Sequence, residues 1–502
     1  MSNNSLKQKT MVVVFSRILT SLIDLTTAVI VVRVLGKTEY AILGYLLMIY
    51  EVARNLATLG FPESVFYYFE HLAKNFRKAF ALQTTGLLVL TGLLAGGVIM
   101  IVQLFAPELI SGFDKTAIIA IQSLLPFIAI MAVFEIPTWP VHNILLALDR
   151  QKEAGWYQIL TSLISFLALI VPISLGYSIE VAIYSLVGYA IIRFIGSMIW
   201  MLLVIPPGEI RTPSGNLKEQ VYFSIPLGIS SLVNQFNKYA DKFIVAFFLT
   251  DVAFAEYSVG AQEVPIIKVI PFAVGTVLIS RYVQLKIKGS FNELIHIWHK
   301  GINKVALVVI PLTILAVVLA PYFINIFETD ETSYRNAIIP FQIYNLIILI
   351  RVAHYGSILQ AFGDTKGVLR LSILLVVLNI LFSIPLTYFY GINGTAFGTL
   401  LANIINWVFL LRRIGTHLNI PAYKVLPLPQ YGRITLVSII VGAMTYFLSN
   451  SLDTYVEWIP NILISSAFFL TGYSLLGSVT KTIKKEDWNN VKEMMKLSFL
   501  WK

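Results

Sequence analysis

The segment QVYFSIPLGISSLVNQFNKYADKFIVAFFLTDVAFAEYSVGAQ, Gln220 to Gln262, reads as a long apolar helix carrying a polar stripe. Ser230, Asn234, Asn237, Lys238 and Asp241 stand at i, i+4, i+7, i+8 and i+11, so they share one helical face. Leu232, Phe236, Tyr239, Ala240 and Phe243 occupy the opposite face. A soluble core rarely buries Lys and Asp in this way, and a surface facing lipid does not tolerate them. The segment therefore reads as a membrane helix that turns its polar stripe into a protein-lined cavity.

The same stripe occurs near the N-terminus. Arg17, Thr20, Ser21 and Asp24 precede Asn234, Asn237, Lys238 and Asp241 by a constant 217 residues, and the same offset carries Glu39-Tyr40 onto Glu256-Tyr257. LLALDRQK (Leu145 to Lys152) and LQAFGDTK (Leu359 to Lys366) repeat at an offset of 214. Two matches at nearly equal offsets indicate homologous halves. The expected division is an N-terminal lobe at 1–206, a turn-rich linker at 207–217, a C-terminal lobe at 218–415, two last membrane helices at 416–480 and a basic tail at 481–502.

Composition points to the membrane. The chain has 502 residues, 57% hydrophobic and 13% charged, with a mean hydropathy of +0.78. Apolar runs long enough to cross a bilayer, about fourteen of them, follow one another along it. They include 78–106, 116–147, 154–175, 219–249, 253–280, 335–362, 368–389 and 393–411. The expected fold is an all-α polytopic membrane protein, with two pseudo-symmetric lobes of six helices and two further C-terminal helices. Lysine and arginine alternate between the connecting loops. Lys74, Arg77, Lys78, Arg150, Lys152, Arg281, Lys286 and Lys288 fall on one side with the N-terminus, whereas the other side is acidic at Glu108, Asp114, Asp251, Asp330 and Glu331. This places both termini in the cytoplasm of a cell whose plasma (inner) membrane holds the protein. The net charge of +10 is then a topology determinant beside anionic lipid, and no interleaved aromatic–basic pattern suits nucleic acid. With no cysteine, thiolate metal sites and disulfides are excluded.

Charges at membrane depth cost ~2.5–3.5 kcal/mol each on insertion scales, so each needs compensation. Arg54, Lys238, Asp241 and Arg351 lie deepest; Lys242 and Lys268 are further cations at membrane depth, and Asp24, Glu51, Glu135 and Glu263 further carboxylates. Arg17 and Arg193 are placed to snorkel. The competing reading of any one of them is a structural ion pair. Pro137, Pro140, Pro226, Pro265 and Pro271 fall inside spans, where they are expected to kink helices and free carbonyls. GINGTAFG (Gly391 to Gly398) lacks the Lys-Ser/Thr ending of a phosphate loop and reads as a tight turn into a closely packed helix. His296 and His299 lack a completing ligand, so no metal or other cofactor is expected.

VVRVLGKTEYAILGY (Val31 to Tyr45), NLATLGFPESVFYYF (Asn55 to Phe69), the helix after Phe223 with EYSVGAQ, and LQAFGDTKGVLR with PLTYFYGINGTAFGTLLANII resemble polysaccharide-biosynthesis flippases of the Wzx type. That family lies in the multidrug/oligosaccharidyl-lipid/polysaccharide exporter superfamily, which also holds lipid II flippases. The resemblance implies two lobes facing a central cavity and alternating access by rocking. It also implies cationic cavity residues on the first, second and eighth helices, where Arg17, Arg54 and Lys268 stand. Lys268 replaces the arginine usual in lipid II flippases and loses its bidentate phosphate geometry.

The expected activity is translocation of a polyprenyl-diphosphate-linked oligosaccharide, undecaprenyl or another polyprenyl. The repeat unit would be that of an O-antigen, capsule or exopolysaccharide. Arg17, Arg54, Lys238, Lys242, Lys268 and Arg351 would make the cavity cationic and hold the diphosphate. Asp24, Glu51, Glu135, Asp241 and Glu263 would couple transport to H+, Na+ or the membrane potential. No covalent chemistry is needed, so the chain is not expected to be an enzyme. Its expected partners are the lipid-linked substrate, the bilayer, a polysaccharide polymerase and glycosyltransferases. The rivals are a drug/cation antiporter, a lipid II flippase and a membrane glycosyltransferase or polymerase; the last would want a large catalytic loop, which the sequence lacks.

Overall fold

A computed structural model describes residues 3–213, 215–484, 486 and 487. The side chains of Arg17, Ser230 and Lys268, and the basic tail beyond residue 487, lie outside that description. Two compact units, Met1–Ala255 and Glu256–Lys502, emerge from the packing. The first holds α1 (Asn3–Val34), α2 (Lys37–Thr58), α3 (Phe61–His71), α4 (Arg77–Leu104), α5 (Ala106–Leu109), α6 (Lys115–Glu135), α7 (Pro140–Ala147), α8 (Gln151–Ser174), α9 (Ile179–Val204) and α10 (Asn216–Phe248). The division falls within α11 (Asp251–Gly260). The second holds α12 (Pro265–Ile287), α13 (Phe291–Val318), α14 (Ala320–Asn325), α15 (Ile338–Ile350), α16 (Gly356–Ala361), α17 (Thr365–Leu418), α18 (Leu428–Leu452) and α19 (Trp458–Val479). By packing, α10 groups with the first unit, because it lies against α2 and α3.

Nine helices among the described residues are long and apolar enough to cross a membrane. Their outward faces are greasy, with Leu203 80% and Leu463 66% exposed, which water would not tolerate over so many helices but lipid requires. One of the nine, α17, contains a non-helical Gly391 (φ 57, ψ −141), where only glycine turns back without strain. Its two arms pair in antiparallel fashion, since Thr387 Oγ1 meets Thr395 Oγ1 at 2.7 Å and Asn379 Oδ1 accepts from Thr399 Oγ1 at 3.5 Å across the bend. The GINGTAFG segment is thus a tight hairpin, as its sequence suggests. α1, α10 and α12 fall outside the nine but are long enough to span. With these, the split α15–α16 segment and α17 counted as its two arms, the described residues form a polytopic all-α membrane protein of 14 long helices.

Three expected spans are interrupted. The span 253–280 is two helices, α11 and α12, because Pro265 lacks an N–H and restricts the residue before it. Buried Asn345 closes the break: its Oδ1 accepts from Val264 N at 3.2 Å and its Nδ2 donates to Gln262 O at 3.3 Å. Non-helical backbone at this depth persists only where protein satisfies it. The span 335–362 breaks between α15 and α16 at Arg351, and 116–147 breaks at the buried 3-10 turn Ile136–Thr138. Pro226 and Pro271, by contrast, sit inside continuous α10 and α12; proline within a membrane helix is tolerated when neighbours re-satisfy the freed carbonyl.

The repeated octapeptides form one turn twice. Arg150 N donates to Leu145 O at 2.9 Å and Asp149 N to Leu146 O at 3.0 Å; Asp364 N donates to Leu359 O and Gly363 N to Gln360 O, both at 2.9 Å. Asp149 (φ 63) and Gly363 (φ 72) are the left-handed residues of the two turns. Each closes a short helix and launches a long one, α8 or α17.

The second copy adds an ion-paired carboxylate. Asp364 caps α17 by accepting from Gly367 N at 3.0 Å, and it accepts from Arg413 Nε at 2.6 Å and pairs with His417 Nε2 at 2.7 Å. The Arg413 hydrogen bond holds its carboxyl well below the usual carboxylate range, with help from His417 and the Gly367 amide. A depressed folded value contributes stability above the unfolded value, about 3.9 for Asp, and loses it as pH falls through the folded one. Melting of Asp364→Asn protein in detergent is therefore expected below wild type at neutral pH, the gap narrowing as the pH drops below about 4. A gap that stays constant into acid would contradict this ion-pair role.

Candidate functional site

A cavity of about 800 Å³ lies in the first unit. Residues from α1, α2, α3, α6, α7, α8, α9 and α10 line it, together with Trp139 from the α6–α7 break. Polar and apolar lining residues segregate along these helices. On α1, Thr20, Asp24 and Thr27 precede Ala28 and Val31; on α8, Gln158, Ser162 and Ser165 precede Phe166 and Leu169. On α2 the order reverses, with Leu43 and Leu47 before Glu51 and Arg54, and on α9 Leu186 precedes Arg193. Successive crossing helices alternate in direction, so both orders put the polar end on the side of the chain's N-terminus and an apolar plug toward the other.

Two ion pairs flank Trp139. Arg54 grips Glu51 with a two-pronged hydrogen bond, Nη1 to Oε1 and Nη2 to Oε2, both 2.6 Å. Its guanidinium lies 4.1 Å from the Trp139 ring centre. Arg193 donates to Glu135 and, at 3.2 Å, to Tyr189 Oη. Its guanidinium stands 5.9 Å from the same indole. The indole thus takes a cation from each pair, an attraction that strengthens away from water. Lys238 also lines the cavity; it lies 4.7 Å from the Tyr239 ring and has no carboxylate partner among the described residues.

Of the residues singled out in the sequence, Asp24, Glu51, Arg54, Glu135 and Lys238 line this cavity. Asp241, only 2% exposed, accepts from the backbone N of half-buried Lys242 at 2.8 Å, and neither residue lines the cavity. Arg351 and Glu263 belong to the second unit, where they pair at 2.8 Å across its two helix breaks while Arg351 also donates to Asn403 at 2.7 Å. For Arg17 and Lys268 the side chains are outside the description.

The cavity differs from expectation in two ways. Its described lining carries four carboxylates (Asp24, Glu51, Glu63 and Glu135) against three cations (Arg54, Arg193 and Lys238), so those described side chains are not net cationic, while Arg17 and Lys268 are not among them. An unpaired guanidinium at this depth is too costly, and each arginine has brought its own carboxylate. Arg193 does not snorkel: it sits near the middle of α9, its side chain 12% exposed, and is held by Glu135. Its mid-helix position was the available signal. Trp139 stands between two prolines in FEIPTWPVHN, and no local spacing marks it as a cavity residue.

A family model described as polysaccharide biosynthesis protein matches residues 6–286, more than half of the chain. The chain belongs to that family. A second model, MatE, matches residues 226–384. Both place this polysaccharide biosynthesis protein in the exporter superfamily named above. The probable lipid II flippase MurJ of Vibrio cholerae serotype O1 is 25% identical over 315 residues, which is 58% of this chain and 58% of that protein. A solved lipid II flippase MurJ in an inward closed conformation superposes with a TM-score of 0.67 at 18% identity, covering 94% of this chain and 99% of that one. An inward-facing multidrug resistance MATE family transporter gives 0.64 at 16% identity over 80% and 95%. At these identities the likeness is one of fold.

Proposed function

We propose that this family member is a flippase that carries a polyprenyl-diphosphate-linked oligosaccharide from the cytoplasmic to the outer leaflet of the plasma membrane by alternating access, without covalent chemistry. The observation that carries this reading is the pair of guanidinium–carboxylate clamps on Trp139 beside Lys238. A carboxylate held by a two-pronged arginine occupies the geometry of a phosphate. Lys238, without a carboxylate partner among the described residues, meets the diphosphate first. The phosphate oxygens then exchange with Glu51 for the Arg54 fork. Protonation of the displaced carboxylate would link the step to H+; Na+ or the membrane potential remain alternative drives. The polar end of the cavity lies toward the side of the N-terminus, and the excess of Lys and Arg in the loops of that side supports reading it as cytoplasmic. Relatedness to a lipid II flippase and to polysaccharide biosynthesis supports a lipid-linked glycan, delivered by glycosyltransferases and consumed by a polymerase.

A second reading has one observation in its favour: the excess of carboxylates over cations among the described lining residues suits a cationic drug. Titration of the reconstituted protein separates the two. Undecaprenyl diphosphate should bind at least about tenfold tighter than undecaprenol, a charged hydrogen bond being worth 1.5–3 kcal/mol, and the preference should shrink at high salt. Lys238→Ala should remove most of it, while Lys288→Ala, on an exposed α12 terminus, should not. Equal affinity for the two lipids, or tighter binding of lipophilic cations, would move the assignment to the antiporter.

A further inference from the structure

The charged clamps take up only part of the cavity lining. On α8, Gln158, Thr161, Ser162 and Ser165 stand at i, i+3, i+4 and i+7 and all line the cavity. Thr20 and Asp24 line it from α1, which packs along α8. Among its described side chains this wall has no cation. Its single charge, Asp24, is exposed in the cavity, and the hydrogen bond described for it is a long one, 3.4 Å from Ser162 Oγ. Most of the acceptor capacity of that carboxylate is unused. Gln158 Oε1 is buried without a hydrogen-bond partner. Thr20 and Thr161 donate to carbonyls of their own helices, but their acceptor capacity and the groups of Gln158 and Ser165 are costly at membrane depth unless something polar meets them.

The chemistry of the wall narrows what that is. A phosphate is repelled by Asp24 and meets no cation among the described side chains of this wall. An acyl chain satisfies none of the polar groups. A drug cation would pair with Asp24 but leave the hydroxyl and amide row without work. A sugar fits each part, because every hydroxyl is donor and acceptor together: a carboxylate accepts from two of them, while an amide or hydroxyl completes either role. We propose that the α1–α8 wall, centred on Asp24, Gln158 and Ser162, is a sugar subsite distinct from the Arg54–Arg193 clamps, and that it recognises the first sugars of the lipid-linked glycan. The proposal rests on the flippase reading and deepens it; it gives Asp24 the role of hydroxyl acceptor.

The test uses the full chain in lipid nanodiscs and three probes: undecaprenol, undecaprenyl diphosphate, and the undecaprenyl-diphosphate-linked oligosaccharide pool extracted from the producing cells. Wild type should bind the glycolipid pool about tenfold tighter than bare undecaprenyl diphosphate, the worth of one or two net hydrogen bonds. Gln158→Leu combined with Ser162→Ala should erase that increment and leave the affinity for bare undecaprenyl diphosphate as it was. The near-isosteric Asp24→Asn should reduce the increment in a protein whose melting is unchanged, which separates recognition from folding. An increment that survives both variants, or none in wild type, overturns the sugar subsite while the diphosphate preference over undecaprenol still stands. Loss of that preference instead sinks the flippase reading itself.

Discussion

Arg54→Ala is expected to stop translocation almost completely, with a fall of about a hundredfold or more in the flipping rate of reconstituted vesicles, the scale of ~3 kcal/mol lost from a charged, desolvated contact. The side chain makes both hydrogen bonds to Glu51 and lies closest to the Trp139 ring. No lysine reproduces that fork, so Arg54→Lys should recover only a small part of the rate. Alanine also strands Glu51, 27% exposed at its side chain. Breaking a buried pair on one side costs up to ~3–5 kcal/mol in stability, so a fall in abundance would confuse the result. The double variant Arg54→Ala/Glu51→Gln removes both charges, and its melting should return toward wild type while flipping stays lost. Recovery of transport in the double variant would mean that the pair serves folding and not the substrate.

How far the sequence carried this site depended on the distance between partners. Arg54 and Glu51 are three residues apart on one helix, so their pairing is readable from helical spacing. Arg193 and Glu135 are 58 residues apart, and no periodicity links them; the pairing needs α6 and α9 to pack side by side. Hence the sequence suggested free cations where the structure has neutralised pairs. The fold was more legible, because hydropathy and loop charge act locally and repeat many times. The break before α12 has a visible cause in Pro265, whereas the break at Arg351 has no proline or glycine at the residue itself and no local signal. Asn345, which repairs the first break from about 80 residues away in sequence, looks like any polar residue in an apolar span until the helices are placed.

The hairpin of α17 should be the least forgiving part of the second unit. A Cβ on Gly394 would run into the carbonyl oxygen of Leu386 on the facing arm, and one on Gly398 would stand 2.6 Å from Ser383 Cα and 2.7 Å from Ser383 N. These neighbours are backbone atoms, which cannot rotate aside as a side chain would. The arms must separate, and with them go the Thr387–Thr395 contact at 2.7 Å and the bond from Thr399 to Asn379 at 3.5 Å. In lipid no water replaces what is lost, and close approach of small residues is itself the source of helix association there. Overpacking ordinarily costs ~1–3 kcal/mol; against rigid backbone at two adjacent turns the cost is expected at or above that range. Gly394→Ala should therefore yield little monodisperse protein in detergent, and the fraction recovered should melt well below wild type. Gly432→Ala, on α18 with open space around the added methyl, should melt at or slightly above wild type, since alanine is the better helix former by ~1 kcal/mol. Equal melting of the two alanine variants would mean that the arms are not packed through Gly394, and the hairpin would have to be redrawn.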